Sequence, residues 1–165
     1  MTTTPRYSDL SNTLWQERQL LEMLVFKLEE EQLLLASGRN RWLGHATREV
    51  EAVLERLKRH ELERAIQADA AGAHLRLDRG GVTLRELAAK SPPPWDQLLS
   101  SHHDALSGLV REVNALARSN RDLLASGQHA MTEAIDRLQG PSADGYSPQG
   151  RERETVNLGV VDRVI

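Results

Sequence analysis

The stretch WDQLLSSHHDALSGLVREVNALARSNRDLLASGQHAMTEAIDRL, residues 95–138, predicts one long amphipathic helix. Mostly apolar residues recur every seven residues at two heptad positions on one face of this helix, a spacing that is typical of coiled coils. The two positions comprise Leu99, Leu106, Val113, Asn120 and Gly127, and His102, Leu109, Leu116, Leu123 and Ala130. At about 1.5 Å per residue, such a helix is roughly 65 Å long. A helix of this length needs other helices to cover its apolar face.

Two further helices are predicted before that stretch, over residues 8–37 and 41–71. The first has leucines at strict seven-residue spacing, at Leu14, Leu21, Leu28 and Leu35. Gly38 stands where helices commonly end on a left-handed residue. Because the loop after it is short, the two helices should form an antiparallel hairpin.

The connection between the second and the long helix carries its own helix signal. Thr83 followed by Glu86 is a capping-box signature and predicts a short helix over residues 84–90, which the prolines at 92–94 end. The sequence therefore predicts an all-α protein, an antiparallel three-helix bundle with coiled-coil character. Residues 1–140 should form this domain, with a disordered lead at 1–7. Residues 141–165, rich in turn residues, should form a flexible tail whose end is apolar.

Composition excludes several classes of function. The formal net charge is −3 and no basic cluster stands out, which argues against a nucleic-acid partner. The absence of cysteine rules out disulfides and thiolate metal sites. No signal peptide and no apolar run near the ~20 residues of a membrane span are visible, so we expect no membrane insertion and a cytoplasmic location.

No motif predicts catalysis or a cofactor. His60-Glu61 begins like the HExxH zinc-protease pattern, but Arg64 occupies the second ligand position. The adjacent His102 and His103 point about 100° apart on a helix and would chelate one metal poorly. Carboxylates are abundant, yet their spacing is that of solvated helix faces. We therefore predict a binding protein that is not an enzyme and has no cofactor.

The lengths of the helices point to a partner-binding surface. Two helices of about 30 residues can cover only about two-thirds of a helix of about 44 residues. Apolar side chains near the end of the long helix should therefore lie open to a partner helix. These candidate residues are Leu123, Leu124, Met131, Ile135 and Leu138.

Asn120 interrupts the apolar stripe and allows two interpretations. A polar residue at such a position costs stability and can fix helix register or the choice of partner. It is either a half-exposed Asn whose hydrogen bonds are satisfied at an imperfect seam, or a partner-binding residue.

Three segments of the sequence form a familiar set. They are Val113-Asn114-Ala115-Leu116-Ala117-Arg118-Ser119-Asn120-Arg121-Asp122-Leu123-Leu124, Gly145-Tyr146-Ser147-Pro148-Gln149-Gly150-Arg151, and Val160-Val161-Asp162-Arg163. Together they resemble the FlgN family of flagellar export chaperones. The order of the elements also agrees, from a Leu/Glu-rich first helix through Thr83-Leu84-Arg85-Glu86-Leu87 to a long last helix. Ser147, where the family more often has glycine, and Gly127 depart from the pattern.

The resemblance implies a cytoplasmic chaperone for hook-associated proteins. Such a protein would hold the C-terminal amphipathic helices of its cargo, prevent premature assembly and deliver the cargo to the flagellar type III export apparatus. Tyr146, Val160 and Val161 join the candidate partner-binding residues on this basis. The alternative is a structural coiled-coil protein or scaffold that uses the same stripe to self-associate. The sequence leaves open whether the chain forms a homo-oligomer.

Overall fold

The computed structural model describes residues 3–77 and 80–140, with side chains from Arg6 onward. This part of the chain is helical apart from its connections, as the sequence predicts. It contains α1 (Thr3–Ala36), α2 (Asn40–His74), α3 (Leu84–Lys90) and α4 (Trp95–Gln139). None of these helices carries an 18-residue stretch apolar enough to cross a membrane.

α1 lies between α2 and α4. It packs closely along both of them, whereas α2 and α4 approach each other much less closely. α3 packs mainly on α4 and closes the end of the bundle where α1 begins. The core is one cluster of aliphatic side chains drawn from all four helices, including Leu10, Leu14, Leu21, Leu24, Leu28, Val50, Val53, Leu57, Leu84, Leu87, Leu99, Leu106, Val110 and Val113.

The connections follow the sequence signals. Gly38 adopts a φ of +67°, and the amide of Arg39 donates to the carbonyl of Leu34 at 3.0 Å, which ends α1 and turns the chain into α2. The capping box at α3 is formed in full. The Thr83 hydroxyl accepts from the Glu86 amide and the Glu86 carboxylate accepts from the Thr83 amide, each at 3.2 Å.

The predicted disordered lead is wrong from residue 3 onward, because α1 begins five residues earlier than predicted. Tyr7 explains the difference. Its side chain is 1% exposed, its ring stacks on Trp95 with centroids 5.3 Å apart, and its hydroxyl accepts from Ser91 at 3.2 Å. These contacts come from the start of α4 and the residue that ends α3, so tertiary packing overrides the weak local helix propensity of the first residues.

Charged side chains are buried at the centre of the α1–α2 interface. The Arg64 Nε atom lies 2.9 Å from Oε2 of Glu17, and both side chains are almost wholly shielded from water. Burial raises the pKa of the Glu17 carboxyl to about 7; the Arg64 charge opposes this shift and Glu61 adds to it. Such a pair adds little net stability, because burying two charges costs about as much as their attraction returns. Removing either partner alone is nevertheless strongly destabilising.

A second buried polar group lies between α1 and α4. His102 is 1% exposed, its Nε2 lies 3.3 Å from the Ser11 hydroxyl, and its ring meets Trp15 edge to face. Burial, aided by the charge of Arg18, lowers the pKa of the His102 imidazole to about 4. The imidazole is therefore neutral at physiological pH.

We predict that breaking the buried ion pair from one side is far more damaging than removing it. At pH 8, Arg64→Met should lower the free energy of unfolding by about 3–5 kcal/mol, because it leaves the Glu17 carboxylate buried without this cation. The double variant Glu17→Met/Arg64→Met should recover most of that loss in urea unfolding followed by circular dichroism. Arg59→Met on the exposed face of α2 is the matched control and should change stability by less than about 0.5 kcal/mol. A double variant as unstable as the single one would contradict this account.

We predict opposite pH dependences for the two buried titratable groups. The pKa of His102 is lower in the folded than in the unfolded protein, so its contribution to stability is lost as the pH falls from 6.5 towards 4. The pKa of Glu17 is raised, so its contribution is full below about 4.5 and is lost as the pH rises to about 7. On acidification from pH 7 to pH 4.5, wild type should therefore lose stability relative to His102→Gln and gain stability relative to Glu17→Gln. Parallel curves of unfolding free energy against pH would refute the assignment.

Candidate partner-binding surface

The register between α1 and α4 determines where α4 emerges from the bundle. The amide of Asn120 donates to the carbonyl of Leu28 at 2.9 Å, and His102 contacts Ser11 near the other end. These pairs are 92 and 91 positions apart in sequence, so the two helices run parallel. Nearer the end of α1, Gln32 and Ser119 are in contact at 2.9 Å and are 87 positions apart. Separations of 87 to 92 positions place Ala36, the last residue of α1, level with residues 123–128 of α4.

The last fifteen or so residues of α4, 125–139, extend beyond the α1–α2 turn. We call this segment the α4 extension. Each of its residues is exposed, whereas α4 before it has one face buried along its length. At about 1.5 Å per residue the extension projects roughly 22 Å. It continues a helix that is already packed, so it avoids the nucleation cost that makes short isolated helices unstable.

The exposed apolar side chains of the extension continue the face that packs on α1. Met131, Ile135 and Leu138 are 59%, 44% and 87% exposed. At about 100° per residue they lie within roughly 60° of the direction of Asn120, which marks the α1-facing side. The apolar stripe of α4 therefore runs on past the end of the helix that covers it.

The other face of the extension is polar and locally paired. His129 Nε2 lies 3.3 Å and Arg137 lies 3.5 Å from Glu133, both at i,i+4 spacing, and the Thr132 hydroxyl donates to the Gln128 carbonyl at 3.0 Å. Such exposed pairs contribute only a few tenths of a kcal/mol each. They make the extension amphipathic, with one face available to a partner.

A protein-family model described as FlgN protein matches residues 1–154 of the chain. The chain belongs to the FlgN family. This is the family of flagellar export chaperones, so membership gives a general role as a chaperone in flagellar assembly. No curated protein and no solved structure matches the chain significantly, so the family model alone carries the assignment.

The structure brings some of the predicted partner-binding residues of this FlgN-family chain together. Met131, Ile135 and Leu138 share one exposed face, and Leu123 and Leu124 lie half-buried where α4 leaves the bundle. The remaining three predicted residues, Tyr146, Val160 and Val161, lie outside the described residues.

Asn120 serves the interface inside the bundle. It is 5% exposed, and its amide donates to the Leu28 carbonyl at 2.9 Å and to Glu31 at 3.3 Å. Glu31 in turn accepts from the Thr47 hydroxyl at 2.7 Å, which links all three long helices. The side chain is thus more buried than the half-exposed seam residue that the sequence suggested, and its partner-binding role stays a prediction.

The histidines considered as metal ligands are separate from one another. His102 points into the core, whereas His103 is half-buried beside Asp104, with 3.1 Å between Nδ1 and Oδ1. His60 lies 4.0 Å from Glu63 on α2. Across residues 3–77 and 80–140, no three His, Asp or Glu side chains are grouped so that they could hold a metal ion.

The sequence analysis missed a second set of exposed apolar residues. Trp15, Phe26 and Leu33 on α1 are 48%, 51% and 70% exposed. Their spacings of 11 and 7 residues, close to whole numbers of helical turns, were the available signal. The heptad leucines of α1 masked it, because they define the opposite, buried face.

We predict that the α4 extension is helical in solution and sensitive to glycine content. A Cβ atom added at Gly127 would meet no other atom within 4 Å, so Gly127→Ala should stabilise the helix locally by up to about 1 kcal/mol. Amide hydrogen exchange at residues 128–139 should slow several-fold. Ala125→Gly is the reverse change and should speed the same exchange. If neither variant alters the exchange, the extension is not a stable helix.

Proposed function

We propose that the chain is a cytoplasmic chaperone that binds hook-associated flagellar proteins, prevents their premature assembly and delivers them to the flagellar type III export apparatus. Membership of the FlgN family supports the general role. The α4 extension supports the more specific one, because it offers an open apolar surface for a helix of the cargo.

The proposal rests on one observation: the apolar stripe of α4 that packs on α1 inside the bundle continues into the α4 extension. Inside the bundle, α1 covers the stripe of α4 that contains Leu106, Val113 and Asn120. Beyond Ala36 the same stripe continues through Met131, Ile135 and Leu138 with nothing packed on it in the described part of the chain. An amphipathic helix of the cargo would occupy on the extension the place that α1 occupies inside the bundle.

The chemistry of the surface suits a segment that folds on binding. Met131 has a flexible, polarisable side chain that adapts to different partners. The termini of filament-type proteins are disordered before assembly, and an apolar helix face lets such a segment gain structure as it binds. We propose the C-terminal amphipathic helix of the cargo as the bound segment.

Three candidate residues that follow the described part of α4 are also included in this proposal. Tyr146, Val160 and Val161 follow the end of α4 in sequence. We propose that they contribute to cargo binding or to delivery at the export apparatus.

Self-association through the same stripe is the competing function. Two copies could pair their extensions as a short coiled coil, which would also bury Met131 and Ile135. Sedimentation velocity of the chain alone distinguishes the two, because the chaperone proposal needs no dimer.

We predict that charge on the stripe weakens cargo binding without unfolding the bundle. Isothermal titration with a full-length hook–filament junction protein should show one-to-one binding that is lost when the C-terminal helix of the cargo is removed. Met131→Asp/Ile135→Asp should weaken it at least about 30-fold, because each buried apolar side chain is worth about 1.5–3 kcal/mol. Leu123→Asp should weaken binding and also lower stability, since Leu123 is half-buried.

Leu62→Asp is the matched control, because Leu62 is 65% exposed on α2. It should leave both binding and the thermal unfolding curve unchanged. Absence of binding by the wild-type chain, or full affinity in the double variant, would overturn the proposal. A dimer that the double variant abolishes, together with absent cargo binding, would establish self-association instead.

A further inference from the structure

A second exposed apolar surface lies on α1 and is separate from the α4 extension. Trp15, Phe26 and Leu33 project on the side of α1 opposite its buried leucines. At about 100° per residue they fall within roughly 20° of one line. The line spans about 18 residues, or about 27 Å. We call these three residues, with the exposed Glu22 and Glu29 between them, the outer α1 stripe.

The three side chains are aligned along one face of α1. Single exposed apolar residues need no explanation, but several on one face suit the binding of a partner helix. Met23, 44% exposed, widens the stripe towards α2. Aromatic residues such as Trp15 and Phe26 are the types enriched at interfaces. Met23, Phe26 and Leu33 lie outside the core cluster, whereas Trp15 also meets the His102 ring of α4 edge to face.

Charge indicates the chemistry of the partner. Glu22 and Glu29 are exposed and form no ion pair within the described residues. Lys27 adds no free positive charge, because its ammonium lies 2.8 Å from Glu30 and 2.7 Å from Glu49. The half of the stripe from residue 22 to residue 33 is therefore apolar and acidic.

At the other end of the stripe, Arg18 covers one face of Trp15. Its guanidinium carbon lies 4.3 Å from the centroid of the indole ring. Arg18 places a positive charge at this end, so the acidic character of the stripe is confined to the half from residue 22 to residue 33.

The charges argue against two occupants that the chain itself could supply. A second copy carries the same formal net charge of −3, and in a parallel pair it would bring its own glutamates against Glu22 and Glu29, where like charges destabilise a helix pair. The segment 141–165 contains three arginines, at 151, 153 and 163, and four acidic residues, at 144, 152, 154 and 162, so it offers no net positive charge.

We propose that the outer α1 stripe is a docking site for a basic amphipathic helix of a partner protein. About 18 residues of helix match its length, with aliphatic residues over Phe26 and Leu33 and lysine or arginine beside Glu22 and Glu29. The site is independent of the cargo surface proposed above, since no residue is shared between them. The protein would thus hold one helix on α4 and a second, basic helix on α1.

Two synthetic helical peptides test this proposal. One carries a leucine seam flanked by lysines, and the other carries glutamate at every lysine position. In fluorescence anisotropy at low salt, the full-length chain should bind the lysine peptide at least tenfold more tightly than the glutamate peptide. Phe26→Asp/Leu33→Asp should weaken binding of the lysine peptide at least tenfold, and Leu62→Asp is the matched control. Glu22→Lys/Glu29→Lys should reverse the preference, whereas Glu51→Lys/Glu55→Lys on α2 should not.

Each other outcome assigns the surface differently and overturns the proposal. Binding that is unaffected by Phe26→Asp/Leu33→Asp but lost in Met131→Asp/Ile135→Asp would place the peptide on the α4 extension. Equal affinity for both peptides would mean that the apolar side chains bind an amphipathic helix whatever its charge. A dimer abolished by Phe26→Asp/Leu33→Asp would make a second copy the occupant. Tighter peptide binding in Val160→Asp/Val161→Asp would identify the chain's own last segment as the occupant. Circular dichroism of each variant confirms that it is folded.

Discussion

The register between α1 and α4 is the constraint on which the other features depend. Two parallel helices of unequal length share one apolar seam, and polar contacts fix their alignment at Ser11–His102 and Leu28–Asn120. With the starts aligned, the longer helix must emerge beyond Ala36. The emerging segment has the same apolar face as the buried one. The open surface is thus a consequence of a length difference, and no separate loop or domain is needed to build it.

Buried polar groups explain why that register is unique. A seam of leucines alone tolerates sliding by a heptad, because one leucine can take the place of the next. Sliding α1 by one heptad would put Leu10 or Leu24 in place of Glu17 opposite Arg64. The same shift would put Leu24 or Gly38 in place of Glu31 beside Asn120. We infer that the contribution of these buried polar groups is specificity, since burying them costs about as much as their interaction returns.

The two exposed apolar surfaces differ in their electrostatic character. On the α4 extension, Glu133 is paired with Arg137, so binding there should depend mainly on apolar contact. On the outer α1 stripe, Glu22 and Glu29 remain exposed beside Phe26. The proposed cargo helix and the proposed basic helix would therefore bind to different helices of the protein and would not compete for one surface.

The sequence by itself determined the helices and where most of them begin and end. Heptad spacing, Gly38 and the capping box of Thr83 and Glu86 act over a few residues, so they predict α2, α3 and α4 to within a few residues. They also predict that α4 is longer than its neighbours can cover. Only the tertiary structure decided the rest. Tyr7 is helical because the start of α4 packs on it. Asn120 is buried because α1 supplies its hydrogen-bond acceptors. Phe26 and Leu33 are exposed because α2 and α4 pack on other faces of α1, which also leaves Trp15 half-exposed. Each of these depends on contacts between residues far apart in sequence, which local periodicity does not encode.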